Sequence, residues 1–379
     1  MTRAYLDNAA TTPIHPEVIE AMTKSMKENY GNPSSVHQHG RSAKVIIEST
    51  RKSIAKQFNV SANEIVFTSG GTEANNFVLQ NAVLNLGVKK IVTTRIEHNA
   101  VLNTVLYLES KYNIEVDFLD VDKFGNINLD DIKNSLELED KKTLVSLMYV
   151  NNEIGNVLPI QKVAEICKDN KALFHSDTVQ AVGLFDIDLS AIQVDFITAS
   201  AHKFHGPKGV GFVFVRKGVF VHSVMHGGSQ EKALRPGTEN LTSILGMHKA
   251  FQIAYKNVNE KYQQILTLKK YFFDNLKKEI PDISFNGMSA DFDKSTPTVL
   301  NVRFPINDQF FLLNLDIEGV SASAGSACQS GAMKTSHVLK NLLNEDELSE
   351  FSIRFSFGLF TTSQEIDFSI EKIKKLILK

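Results

Sequence analysis

The sequence predicts an α/β protein: a large part built on a mostly parallel sheet, then a smaller α/β part towards the C-terminal end. Three observations carry this. Short apolar strand-like runs alternate with helical ones through the first two thirds, the pattern of a parallel sheet covered by helices. At 379 residues the chain exceeds the length over which one hydrophobic core keeps growing. After Gly237 the texture changes to long breaker-poor stretches.

Taken in order, residues 64–68 read as a strand, Ser69-Gly70-Gly71-Thr72 as a turn and 73–86 as a helix. A strand over 90–94 precedes His98, which opens a further helix. Strands follow over 115–119 and 143–150, and Pro159 starts a helix reaching Asn170. Residues 173–177, 196–200 and 211–215 complete the strand series. Residues 241–280 read as one long helix leading out of the large part. Strands over 301–304 and 352–355 and an amphipathic helix over 365–378 form the small part.

Composition excludes several classes. Hydrophobic residues make up 42% and charged residues 22%, ordinary for a globular protein. Lys and Arg number 41 against 43 Asp and Glu, so no basic excess points to nucleic acid or an anionic membrane. No run approaches the roughly 18 apolar residues of a membrane span, and the N-terminus reads as lacking a signal-peptide core. Two cysteines make neither a disulfide framework nor a zinc pair. A reducing cytoplasm is the expected compartment.

Cys328 lies in Ser321-Ala322-Ser323-Ala324-Gly325-Ser326-Ala327-Cys328-Gln329-Ser330-Gly331-Ala332, where almost no side chain is large enough to pack. A thiol there predicts a nucleophile on a mobile arm, acting as thiolate. Cys167, at apolar spacing on a predicted helix, reads instead as inert core.

Lys203 follows a buried strand in Ser200-Ala201-His202-Lys203 and precedes a turn-rich segment. That suits a Schiff-base lysine, although a surface lysine beside a turn fits the same residues. The preceding strand ends in Asp177, with Gln180 three residues on. Pyridoxal phosphate needs a carboxylate against its pyridine nitrogen, and both residues would face one crevice at the carboxyl edge of the sheet. By itself Asp177 also fits a cap or turn. The Ser69–Thr72 turn offers backbone N–H groups and a helix N-terminus to an anion, or is a plain capping sequence. His98 is either a solvent histidine or a proton carrier stacked on a cofactor.

The order and spacing of these motifs resemble the cysteine desulfurases, pyridoxal-phosphate enzymes of fold type I in the class V aminotransferase group. The resemblance runs from Tyr5-Leu6-Asp7-Asn8-Ala9-Ala10-Thr11-Thr12-Pro13 to Phe360-Thr361-Thr362. It passes Gly31-Asn32-Pro33-Ser34-Ser35, Glu97-His98, Asn151-Asn152-Glu153-Ile154-Gly155, His226-Gly227-Gly228, Arg235-Pro236-Gly237-Thr238, Gly325-Ser326-Ala327-Cys328 and Ile353-Arg354-Phe355-Ser356. It implies a seven-stranded, mostly parallel sheet in a large domain over 13–258. The small domain takes 1–12 and 259–379 and carries the cysteine loop over 321–334.

The resemblance also assigns roles. Lys203 would bind the cofactor covalently, Asp177 pair with the ring nitrogen, Gln180 contact the ring hydroxyl, and His98 stack on the ring and act as acid and base. Gly71, Thr72, Ser200 and His202 would hold the phosphate, and Thr238 would reach the phosphate of a second copy, implying a homodimer. Asn152 would contact cofactor and substrate. Arg354 would fork onto the substrate carboxylate, where by itself it fits a salt-bridged strand residue. L-cysteine would become L-alanine, with its sulfur held on Cys328 as a persulfide and passed to an iron–sulfur scaffold or another acceptor protein. No permanent metal site is expected; the one metal role left open is a transient iron–sulfur ligand at Cys328. A selenocysteine lyase, another class V enzyme such as an aminotransferase, and a non-catalytic sulfur-transfer scaffold are the alternatives.

The cysteine segment resembles the group with a long Ser-Ala-Cys loop, and Ala201 resembles its nitrogen-fixation type. The chain departs from the family at Leu359, Ala324 and Gln329, which bears on the loop and its partner contacts rather than on the reaction.

Overall fold

A computed structural model describes residues 3–137, 141–324 and 336–378. Its strands, in chain order, are β1 (Ala4–Tyr5), β2 (Ile65–Thr68), β3 (Lys90–Thr94), β4 (Glu115–Leu119), β5 (Thr143–Ser146) and β6 (Leu173–Asp177). They continue as β7 (Phe196–Ser200), β8 (Gly211–Val215), β9 (Ser284–Phe285), β10 (Val299–Phe304), β11 (Val320–Ser321) and β12 (Phe351–Ser356).

Seven of these form the central sheet, in the order β2-β8-β7-β6-β5-β3-β4. Pairings among β3 to β7 are parallel, whereas β8 runs antiparallel between β2 and β7. β2 therefore runs parallel to β7, and the ends at Thr68, Asp177 and Ser200 share one edge of the sheet. Alternation of side chains explains how the sheet is covered on both faces. Phe67, Phe212 and Phe214 enter one buried cluster with Phe58, Leu241 and Phe251, while Val66, Val213 and Val215 enter another with Phe77 and Val101.

The expected seven-stranded, mostly parallel sheet is thus present. The strand expected over 143–150 ends at Ser146, after which the chain turns to deliver Asn151 and Asn152. The single helix expected over 241–280 is two helices, Leu241–Tyr255 and Val258–Glu279. The break is at Asn257, whose φ of 58° is left-handed, a conformation asparagine tolerates better than most residues. Its side chain donates to Glu260 Oε2 at 2.9 Å.

A second sheet, β12-β10-β9, is antiparallel. Its core joins Leu300, Val302, Ile353 and Phe355 with Phe272 and Leu276 of one helix and Ile366, Ile370 and Ile373 of the last. Ala4 and Leu6 belong to that core, because β1 pairs in parallel with β11. The residues after β1 then cross to the large sheet, where Thr12 N–H donates to the His202 carbonyl at 2.9 Å.

Candidate active site

The end of β2 turns through Gly70 into the helix Gly71–Leu84. Gly70 has φ 150° and ψ −175°, which L side chains rarely adopt. At Gly71 a Cβ would approach Val179 Cγ2 to 2.6 Å, so only glycine lets the turn lie this close to the end of β6. No side chain caps the helix, so its first-turn N–H groups remain available to an anion.

Asp177 closes β6 and is 7% exposed. Its Oδ2 accepts from Asn75 Nδ2 at 2.7 Å and its Oδ1 from the Val179 N–H at 2.9 Å. Thr198 Oγ1 in turn donates to Asn75 Oδ1 at 2.8 Å, which fixes the amide orientation. Asn75 sits one helical turn after Gly71, so one helix supplies both the glycine turn and the residue that aims Asp177.

Lys203 ends a 3-10 turn, Ala201–Lys203, directly after β7. Its Nζ donates to the carbonyls of Ala9 at 2.6 Å and Ala10 at 2.8 Å, and Gln180 Nε2 donates to the same Ala9 carbonyl at 3.0 Å. The N-terminal crossover thus orients two of the expected cofactor residues. His202 Nδ1 lies 3.2 Å from Thr11 Oγ1; burial, then the charges of Lys203 and Lys208, push its pKa down to about 4. It is neutral at pH 7. His98 caps the helix Asn99–Tyr112, with Nδ1 accepting from the Ala100 N–H at 3.1 Å, so in neutral His98 the proton resides on Nε2.

These groups surround one cavity of about 340 Å³, lined among others by Gly71, Thr72, His98, Asn152, Asp177, Gln180, Ser200, His202, Lys203 and Arg354. The size suits a small cofactor with its substrate. Arg354, on β12 and 2% exposed, donates to the Asn152 carbonyl at 2.8 Å and to Asp7 Oδ1 at 3.0 Å. Its fork therefore faces the cavity while already holding a carboxylate. Thr238 is exposed and outside this lining. Cys328 lies outside the described residues, but the chain on either side of it is placed. Ser323 and Arg354 exchange two backbone hydrogen bonds, at 3.3 and 2.7 Å. Ser336 Oγ donates to Glu153 Oε2, and His337 Nε2 lies 2.9 Å from the Glu97 carbonyl.

Cys167 is buried in the core of the large sheet, and burial pushes its thiol pKa up, which leaves it inert. Asn75, Glu97 and Asp7 have site roles that sequence reasoning did not single out. Glu97 is fully buried, with Oε1 accepting from the Met148 N–H at 3.0 Å and Thr94 Oγ1 at 3.3 Å. Asn75 lay within reach of inspection as the polar residue at i+4 from Gly71; Glu97 stood in a motif with His98, but nothing in the sequence assigned it a role of its own.

The donors fit pyridoxal phosphate in kind. The uncapped glycine turn suits its phosphate, the buried carboxylate its ring nitrogen, and the lysine its aldehyde. Comparison with known proteins agrees. Residues 4–368 match the family model described as Aminotransferase class-V. The chain is 41% identical over 378 residues to "Cysteine desulfurase IscS" of Dictyoglomus turgidum, covering 99% of this chain and 94% of that one. It is 39% identical over 383 residues to "Putative cysteine desulfurase IscS 1" of Bacillus subtilis, covering 100% and 99%. Among solved structures, "NIFS-LIKE PROTEIN" superposes with a TM-score of 0.90 at 34% identity over the whole of both chains. "SspA in complex with cysteine" does so at 0.82 and 29%, covering 95% of this chain and 100% of that one.

Proposed function

The chain belongs to the class-V aminotransferase family, and we propose that within it this protein is a cysteine desulfurase that converts L-cysteine to L-alanine and holds the sulfur as a persulfide on Cys328. One observation carries this choice. The chain on both sides of the Cys328 segment is fastened to the elements that carry His98, Asn152 and Arg354. From Ser323 the tether to Cys328 is about 17 Å at full extension, enough to span a cavity of this size. An ordinary aminotransferase has no use for a thiol tethered there.

In this reading Lys203 binds pyridoxal phosphate covalently, Asp177 pairs with its ring nitrogen and Gln180 contacts its ring hydroxyl. Gly71, Thr72, Ser200 and His202 hold the phosphate, and His98 stacks on the ring. When bound, the cofactor supplies an electron sink for charge that develops at the substrate α-carbon. Hydrogen bonds from Asn75 and the Val179 N–H hold both Asp177 oxygens in place, which fixes the carboxylate where the ring nitrogen would meet it. Neutral His202 can donate to the phosphate without adding charge.

Arg354 and Asn152 orient the substrate carboxylate. Lys203 Nζ, at the mouth of the turn after β7, carries the α-proton. Cys328 Sγ, as thiolate, attacks the substrate sulfur. A sulfur–sulfur bond forms, the carbon–sulfur bond breaks with its electron pair left on carbon, and that carbon takes up a proton to become the methyl of alanine. His98 is placed to move protons at this stage.

The domain division at 13–258, with 1–12 and 259–379, belongs to the same reading. So does a homodimer in which exposed Thr238 reaches the phosphate of the second copy. Sulfur then passes to an acceptor protein for iron–sulfur cluster assembly, in the cytoplasm. Among the described residues no helix is long and apolar enough to cross a membrane. Its similarity to cysteine desulfurases favours cysteine over selenocysteine as substrate.

The test is incubation with L-cysteine in the absence of reductant, then mass spectrometry of the peptide that holds Cys328. One added sulfur, about 32 Da, on that residue is the expected result. Sulfide production with Cys328 unmodified, or undiminished in Cys328→Ser, would reject the assignment.

A further inference from the structure

The segment Glu231–Ala233 is strained. Its three residues have φ of 47°, 58° and 64°, and none is glycine. Consecutive left-handed residues of this kind are unfavourable for L side chains and persist only where the surroundings force them. What forces this one is visible. Glu231 and Arg51 form a two-pronged ion pair at 2.6 and 2.8 Å, with side chains 2% and 3% exposed. The same carboxylate accepts from the Phe67 N–H at 2.9 Å, and Arg51 donates to the Ile65 carbonyl at 2.7 Å. β2 is an edge strand, so two side chains satisfy the outward-facing backbone groups that an unpaired edge leaves open. Arg51 also lies over the Phe67 ring at 4.7 Å.

The strained turn delivers Arg235 to the other end of β2. Arg235 Nε and Nη2 reach the two carboxylate oxygens of Glu73 at 2.9 and 3.3 Å. Glu73 Oε2 also takes the Ser69 N–H at 2.9 Å, tightening the glycine turn from behind. Burial works against ionisation of Glu73, but the hydrogen bonds from Arg235 and Ser69 hold its carboxyl below the usual range. A charged carboxylate therefore lines the cavity beside the N–H groups meant for a phosphate. Unpaired, it would repel that phosphate.

We propose that Arg235 is a positioning residue for the cofactor phosphate: it cancels the Glu73 charge beside the glycine turn, and the Glu231–Arg51 pair and the strained turn hold it in place. This rests on the pyridoxal-phosphate reading above. A purely structural role would weaken every ligand alike, whereas charge cancellation acts on the phosphate alone.

The test titrates cofactor-free protein with pyridoxal phosphate and, separately, with pyridoxal, following absorbance. Arg235→Gln should weaken pyridoxal phosphate by about tenfold or more and leave pyridoxal within about twofold. Adding Glu73→Gln to that variant should restore phosphate binding, because the uncancelled charge is then gone. Glu231→Gln should reproduce the selective loss if it folds; the partly exposed Arg235 pair decides the matter if it does not. Equal weakening of both ligands, or failure of Glu73→Gln to restore binding, would overturn the proposal. A parent protein that takes up neither ligand would overturn the cofactor reading and this inference with it.

Discussion

Glu97 shows how one residue beside His98 can set a pH dependence for the whole protein. Burial pushes its pKa up to about 8, the nearby Asp177 charge adds to this, and the Met148 N–H and Thr94 hydroxyl only partly oppose it. Its Oε2 has no hydrogen-bond partner among the described residues. The folded state therefore holds a proton that the unfolded chain releases near pH 4.5. Glu97 contributes most to stability below that pH, and the contribution is lost as pH rises through about 8, at up to about 1.4 kcal/mol per pH unit. Glu97→Gln keeps the neutral shape and removes the slope. Urea unfolding should find the variant close to the parent near pH 4 and more stable than it at pH 8; parallel profiles would mean that Glu97 is already ionised in the native state. The same residue marks the limit of what sequence could say. Lys203, Asp177 and His98 stand at strand ends or a helix start, where position alone suggests chemistry. Glu97 and Asn75 act by being buried next to those groups, and Glu231 by being buried against Arg51; burial at a polar residue leaves no periodic signature.

At the scale of elements, strands such as β2, β3, β5 and β8 were legible because each is a short, largely apolar run that the fold buries on both faces; the edge strand β4 is only partly buried. The break at Asn257 was not, because no glycine or proline marks it and the flanking residues favour helix on both sides. The second helix, Val258–Glu279, owes its place partly to Lys269. That side chain is completely buried and donates to Ser295 Oγ and the Thr296 carbonyl, each at 2.8 Å. Those residues belong to the segment that meets the large sheet's turn, where Thr296 N–H donates to the Gly155 carbonyl at 2.8 Å. Burial lowers the Lys269 pKa to about 7, with Asp291 opposing. Between that value and the ordinary 10.5 the unfolded chain binds a proton that the native state does not. Stability from this site is thus complete above pH 10.5 and falls as pH drops towards 7. Lys269→Met removes the titrating amine while nearly keeping its volume. Its denaturation midpoint should lose the rise that the parent shows from pH 7 to 10, and an undiminished rise would assign that dependence to other groups. The strained turn offers a second check. Ala233→Gly relieves a left-handed alanine and should stabilise the protein by up to about 1 kcal/mol, net of the greater freedom glycine has when unfolded. A lower melting temperature would show that the turn is not strained at that residue.

For the whole molecule, the decisive geometry is that the site is shared between two cores. Lys203, Asp177 and the glycine turn are fixed by the large sheet. Arg354 comes from β12 of the other sheet and reaches back to Asp7 on the N-terminal crossover and to the Asn152 carbonyl after β5. Under the function proposed above, fixing the guanidinium from both sides would set the distance between an amino acid's carboxylate and the lysine that must reach its α-proton. In the proposed reading a substrate carboxylate would compete with Asp7 for the same fork, so binding would carry a cost that only a well-placed carboxylate repays. Arg354→Ala should therefore act on substrate rather than cofactor. Losing a charge-assisted pair of about 2 kcal/mol corresponds to a rise of roughly 30-fold in KM for cysteine, with the absorbance of the bound cofactor unchanged. Asp7→Asn should move KM the opposite way, because the fork is then held by a neutral group that the substrate displaces more easily. If Arg354→Ala left KM unchanged, Arg354 would be a structural tie between the two cores. If Asp7→Asn raised KM as much as Arg354→Ala does, Asp7 would be orienting the arginine rather than competing with the substrate for it.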